Sequence, residues 1–166
     1  MTEKNKVILD ATAGFRMMWF DKNHPNCLYI DERKDCNPDE VQDFRNLPYP
    51  DESFKLIVFD PPHYLDKWHN PNIKLNQDYG LLRFETWQSD LKKAFKELWR
   101  VLAPFGVLVF KWNNHDVDYK EVYNIFPVKP LFGQQIKKSR SKKHPCSTKW
   151  FTFMKFPKSF GGKQSQ

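Results

Sequence analysis

Asp60, followed at once by Pro61 and Pro62 and then by His63 and Tyr64, is the arrangement in this chain best suited to chemistry. The four apolar residues before it, Leu56, Ile57, Val58 and Phe59, read as a strand buried on both faces, the kind found inside a parallel sheet. Proline cannot donate to a sheet ladder, and it drives the residue before it toward extended geometry. The strand must therefore stop at Asp60, leaving a carboxylate and the Pro61 carbonyl at its carboxyl end. In open α/β sheets that edge is where ligands sit. Two acceptors beside an aromatic pair suit the holding of an NH2 group, with the ring that carries it stacked on His63 or Tyr64. The plainer reading is a strand terminator with a capping aspartate, and a motif this short is decided by its surroundings.

Such a strand end works only where a sheet brings other strand ends beside it. Residues 7–10 read as a short buried strand ending in Asp10, followed by Ala11, Thr12, Ala13 and Gly14, small residues that let the backbone turn tightly. A short helix is expected over 14–20. Residues 27–30 give a second strand closed by Asp31, and an acid about 20 positions after a glycine turn commonly accepts hydrogen bonds from ribose hydroxyls. Residues 65–85 are polar, turn-rich and aromatic without clear periodicity, placed to lid a pocket at the strand end. Thr86 reads as the N-cap of an amphipathic helix in which Trp87, Leu91, Ala94, Phe95, Leu98 and Leu102 recur at helical spacing. A turn and a buried strand reaching Phe110 follow, then a modest helix over 118–126. Two β segments, 129–136 and 147–156, flank a loop carrying Lys137, Lys138, Arg140, Lys142, Lys143 and His144. His69, His115 and His144 read as surface residues, with no metal-ligand cluster expected.

The residues around Asp60 resemble the Asp-Pro-Pro-aromatic signature of amino-directed, S-adenosylmethionine-dependent methyltransferases of the adenine-N6 and cytosine-N4 type, with His63 where those families usually carry Tyr, Phe or Trp. The passage from Asp43 through Leu47, Pro48, Tyr49, Asp51, Ser53 and Phe54 to Pro62 is similar to a continuous stretch of the class I methyltransferases. The turn after Asp10 resembles their nucleotide-binding loop, departing from its glycine pattern at Thr12 and Arg16. Arg100, Val101, Leu102, Pro104 and Gly106 resemble their Arg-Val-Leu-Lys-Pro-Gly-Gly passage, with Phe105 in place of one glycine.

The resemblance implies a Rossmann-like class I methyltransferase fold: an α/β, compact single domain over residues 1–156, with a mostly parallel central sheet, a C-terminal antiparallel strand, and a basic flexible tail over 157–166. It implies S-adenosylmethionine as cofactor, held by Asp10, Ala11 and Gly14, by Asp31, and by Asp43 and Phe44. Asp43 would accept from the adenine amino group, and the Phe44 amide would meet a ring nitrogen. Asp60, Pro61, His63 and Tyr64 would carry N-methyl transfer to an exocyclic base amine, adenine N6 in DNA favoured.

Composition sets the remaining bounds. A chain of 166 residues with 16% aromatics can bury a real core and is not disordered in character. It has no apolar run near the roughly 20 residues of a membrane span. The polar start runs straight into a strand, so no signal peptide is visible, and a cytoplasmic protein with Cys27, Cys36 and Cys146 reduced is expected. The formal net charge is +7, and residues 122–166 hold ten Lys and Arg and no acid. A basic end on a near-neutral body suits an anionic partner, here nucleic acid gripped through phosphate contacts from Lys137, Lys138, Arg140, Lys142 and Lys143. No separate target-recognition domain is visible, which keeps an RNA base, or a protein or small-molecule amine, as alternative substrates. A nucleic-acid-binding protein that keeps the fold without the cofactor is the alternative of another class.

Overall fold

The computed structural model describes residues 6–133, 147–157 and 159. Among the described residues seven strands, the longer ones grown from apolar runs, form one sheet: β1 (Ile8–Asp10), β2 (Cys27–Asp31), β3 (Glu40–Val41), β4 (Phe54–Phe59), β5 (Leu102–Asn113), β6 (Phe132–Gly133) and β7 (Thr148–Met154). Their spatial order is β3-β2-β1-β4-β5-β7-β6. The first five pair in parallel, while β7 runs antiparallel to β5 and to β6. The chain winds outward from β1 through β2 to β3, then returns to lay β4 on the other side of β1. A sheet has its ligand crevice at such a reversal, outside the carboxyl ends of the strands. That places the ends of β1 and β4, Asp10 and Asp60, at one edge.

Among the described residues three α-helices accompany the sheet: α1 (Lys74–Tyr79), α2 (Trp87–Val101) and α3 (Tyr119–Asn124). The stripe on α2 is fully buried at Leu91, Ala94, Phe95, Leu98 and Val101, in one cluster with Ile57, Phe59, Leu108 and Phe110 of the sheet. Phe95 stacks on Phe126 at 4.4 Å between centroids, which docks the end of the α3 segment on the same face. Burial of side chains this large is the main source of stability here. A smaller cluster of Ala13, Cys27 and Tyr29, with Ile8 and Trp19 against it, forms apart from that core. Among the described residues no helix is long and apolar enough to cross a membrane.

Several local expectations are corrected. Residues 14–20 form successive turns rather than a helix, because Gly14 and Arg16 both take positive φ, +48° and +56°. A left-handed Arg16 ends any right-handed turn there, and its guanidinium is drawn to Asp39 at 2.8 Å and to the Lys22 carbonyl at 2.8 Å. Thr86 precedes α2 but does not cap its backbone; its hydroxyl donates to Asp90 Oδ2 at 2.7 Å instead. Helix α2 passes directly into β5, and the turn inside that strand is made by Phe105 at φ +59°. At the neighbouring Gly106 an added Cβ would lie 2.7 Å from the Ala103 carbonyl oxygen, so the bend admits no side chain there. The connection 65–85 is more ordered than its composition suggests: it contains α1, and Leu65 and Leu82, both buried, form a parallel bridge.

Candidate active site

The turn after β1 is fastened to both neighbouring strands. Ala11 N donates to the Val58 carbonyl and Ala13 N to the Ile30 carbonyl, each at 2.9 Å. Thr12 has a definite task where a glycine was expected: its hydroxyl accepts from Asp60 N at 2.7 Å, tying the turn to the end of β4. Gly14 N donates to Asp31 Oδ2 at 2.8 Å, which ties the same turn to the end of β2.

A cleft of about 470 Å³ opens at this edge. The β1 turn lines it through Ala11, Thr12, Ala13, Gly14 and Phe15, the end of β2 through Asp31, Glu32 and Arg33, and β4 through Asp60 and Pro62. Phe44 contributes one wall, Lys111 another, and Asp78, Tyr79 and Gly80 cover it from the 65–85 connection. The cover is latched by Arg33, which donates to the Gln77 carbonyl at 2.9 Å and to the Asp78 carbonyl, while its Nε reaches Asp31 Oδ1 at 3.1 Å.

The expected site residues divide into three groups. Ala11, Gly14, Asp31, Phe44 and Asp60 meet in the cleft. Asp10 and Asp43 do not line it. Asp10 is 0% exposed and takes hydrogen bonds from Trp19 Nε1 at 2.7 Å and Thr12 N at 3.2 Å. Burial pushes its carboxyl up to about 6, against the opposing pull of the Trp19 hydrogen bond. Asp43 is joined to Arg45 Nε at 2.9 Å and accepts from Arg45 N at 2.8 Å, fixing the turn that presents Phe44. Pro61, His63 and Tyr64 also lie outside the lining. Pro61 is buried, and His63 packs against Tyr64 at 4.6 Å and edge-on to Trp112 at 6.3 Å. Burial pushes the His63 imidazole down to about 4, with the Lys111 charge acting in the same direction. The third group, Lys137, Lys138, Arg140, Lys142 and Lys143, lies outside the described residues.

Two features escaped the sequence. Lys111 Nζ lies 2.6 Å from Asp60 Oδ2. Burial pushes the Asp60 carboxyl up, and the Lys111 charge pulls it back down. The signal was a lone lysine in an apolar strand; the pairing of Phe59 with Phe110 brings the next residues, Asp60 and Lys111, level. The second feature concerns the histidines: His115 is exposed and His69 partly so, while His144 lies outside the described residues. His69 and His115 converge on Asp116, at 2.9 Å and 2.7 Å respectively, next to Tyr64.

No known-family model and no curated protein matches this chain. Solved structures do match. A Pyrococcus horikoshii protein superposes with a TM-score of 0.59 at 12% identity, covering 89% of this chain and 81% of its own. The N-methyltransferase NodS from Bradyrhizobium japonicum gives 0.53 at 15% identity, covering 90% and 84%. An S-adenosylmethionine-dependent methyltransferase from Leishmania major gives 0.52 at 17% identity, covering 87% of this chain and 63% of its own. With the strand order above, these likenesses establish the Rossmann-like class I methyltransferase fold: a mostly parallel sheet finished by antiparallel strands.

Proposed function

We propose that the chain is an S-adenosylmethionine-dependent N-methyltransferase that acts on an exocyclic amino group of a nucleic-acid base, adenine N6 in DNA favoured. The observation that carries the proposal is the presence of Asp60 in one cleft with Asp31, Phe44 and the Gly14 turn. The lining suits the cofactor. Its volume falls within the roughly 300–1,000 Å³ of small-molecule sites. Asp31 and Glu32 are acceptors for ribose hydroxyls; Asp31 already serves Gly14 and Arg33, but each carboxylate oxygen accepts more than once. Phe44 and Phe15 are flat apolar walls for a purine, and Ala11, Ala13 and Gly14 let backbone come close. Asp10 and Asp43 act from behind the lining, holding the turns that form it.

When bound, the cofactor supplies a methyl group already activated on a sulfonium. An aromatic amine is a weak nucleophile because its lone pair is delocalised into the ring. Asp60 in the cleft accepts one N–H group, and the adjoining Pro61 carbonyl, beyond the lining, is the acceptor for the other as the target base enters; together they favour a pyramidal nitrogen with its lone pair free for attack. The same acceptors stabilise the positive charge that develops, and the surplus proton leaves by way of Asp60 to water. Lys111 keeps Asp60 ionised in a site where burial opposes ionisation. His63, neutral at physiological pH, offers an aromatic ring for the target base alongside Tyr64. A base in duplex DNA would have to be flipped out to reach them.

The test is to incubate the protein with methyl-labelled cofactor and, separately, DNA, RNA and a protein extract, then digest the labelled polymer to monomers. The expected product is N6-methyldeoxyadenosine. Label in RNA or protein would move the substrate while leaving the enzyme class intact. Cofactor binding without label in any extract would overturn the enzyme reading.

A further inference from the structure

His69, His115 and Asp116 lie outside the cleft lining and play no part in the transfer described above. They come from two segments, the connection after β4 and the turn after β5, that sequence separation hides from each other. Their donor atoms, one from each residue, all fall within 4.8 Å of one another, the one such group among the described residues. His69 Nε2 is 2.9 Å from Asp116 Oδ2 and His115 Nδ1 is 2.7 Å from Asp116 Oδ1.

We infer that these three side chains form a binding site for one divalent cation of the zinc class, clasping the 65–69 segment to the 113–116 turn. Two imidazoles and one carboxylate are the donor set of open zinc sites, in which a water or exogenous ligand completes a tetrahedron. Magnesium and calcium prefer oxygen donors throughout. An ion bound at about 2.0–2.1 Å needs donors roughly 3.3 Å apart, so the two histidine–carboxylate contacts must open slightly, and no pair of donors starts more than 4.8 Å apart.

The surroundings are those of a built site. The Asp116 side chain is 5% exposed and also accepts from Leu65 N at 2.7 Å, an anchor of the kind that orients metal-binding carboxylates. His115 N donates to Asn113 Oδ1 at 2.9 Å, which sets the turn that presents its ring. His69 is 19% exposed and His115 46%, leaving the open side toward solvent as an entry path. The Tyr64 ring lies 4.4 Å from the His69 ring and 5.2 Å from that of His115. An ion here therefore braces the segment that follows the two prolines.

The test uses full-length protein stripped with chelator, titrated with zinc by calorimetry and with cobalt by visible absorption. The expected result is one ion per chain, with the visible band of a tetrahedral cobalt centre. His69→Gln and His115→Gln should each weaken binding at least about tenfold, while His24→Gln leaves it unchanged. His115 is half-exposed, so its variant should keep the wild-type fold by circular dichroism. Failure of the wild type to bind zinc at high micromolar concentration, or equal affinity in the wild type and both variants, overturns the inference. The readout is independent of methyl transfer.

Discussion

Lys111 Nζ and Asp60 Oδ2 form a 2.6 Å ion pair inside the cleft, between the ends of two adjacent parallel strands. The pair has two opposing effects on methyl transfer. It keeps the acceptor carboxylate charged, and it sets a cation near a nitrogen that becomes cationic.

The first effect is the larger one for a carboxylate whose ionisation burial opposes. Replacing Lys111 with Met leaves burial as the main influence on Asp60 and raises its carboxyl further. An opposite charge at contact distance commonly accounts for about 1–3 pH units. The acidic limb of the rate profile should therefore move to higher pH by at least about one unit, with Lys111→Arg restoring it. A Met variant that is faster than wild type across the whole profile would show that charge repulsion is the larger effect.

Arg33 links the ribose-side acid to the cover of the cleft, through Asp31 and through the carbonyls of Gln77 and Asp78. Arg33→Met should free residues 77–80, seen as faster amide hydrogen exchange there, and weaken S-adenosylhomocysteine binding. Unchanged exchange at Asp78, Tyr79 and Gly80 would mean that packing, not this latch, holds the cover.

Asp10 stores a pH dependence of stability. Its folded carboxyl stands at about 6, above the ordinary 3.8. A raised folded value means that the native state binds the proton more tightly than the unfolded chain. Stability is then fully present below about pH 4 and is lost as pH rises through 6. The loss is on the order of 2–3 kcal/mol for a shift of this size. Asp10→Asn should remove it, so the variant should gain relative to wild type in urea midpoint between pH 4.5 and pH 7.5. Parallel midpoints at the two pH values would contradict the assignment.

Phe105 bears a left-handed backbone at φ +59°, a conformation that costs a non-glycine residue about 1–2 kcal/mol. Its ring is 48% exposed and meets Phe156 edge-on at 6.4 Å, so its removal gives up part of a half-exposed contact surface. Phe105→Gly should leave stability unchanged or raise it by up to about 1 kcal/mol in chemical denaturation. A clear loss would show that the Phe105 ring holds the C-terminal end of β7 in place.

Much of this was legible in the residues. The run from Leu56 to Phe59 stopped by prolines located β4 and its carboxylate, and the repeat on α2 located the core face. Asp31, Phe44 and Gly14 line the cleft, Asp31 expected there from its spacing and Phe44 and Gly14 from the family resemblance. What was not legible depends on contacts between distant segments. The local sequence places Arg16 in a helix because nothing near it announces its reach to Asp39, 23 residues on. Asp10 looked like a ligand-facing acid, and only the fold shows it turned under Trp19. Lys111 becomes part of the site through strand register, and the two histidines meet Asp116 through the packing of separate turns. Single-sequence periodicity carries no information on any of these.

The proposed mechanism rests on Asp60 holding the amine being methylated. Single-turnover transfer by Asp60→Ala tests this most directly, with S-adenosylhomocysteine affinity measured on the same sample. Transfer should fall by at least about a hundredfold, with cofactor affinity within a few-fold of wild type. Transfer at the wild-type rate by that variant would contradict the role assigned to Asp60.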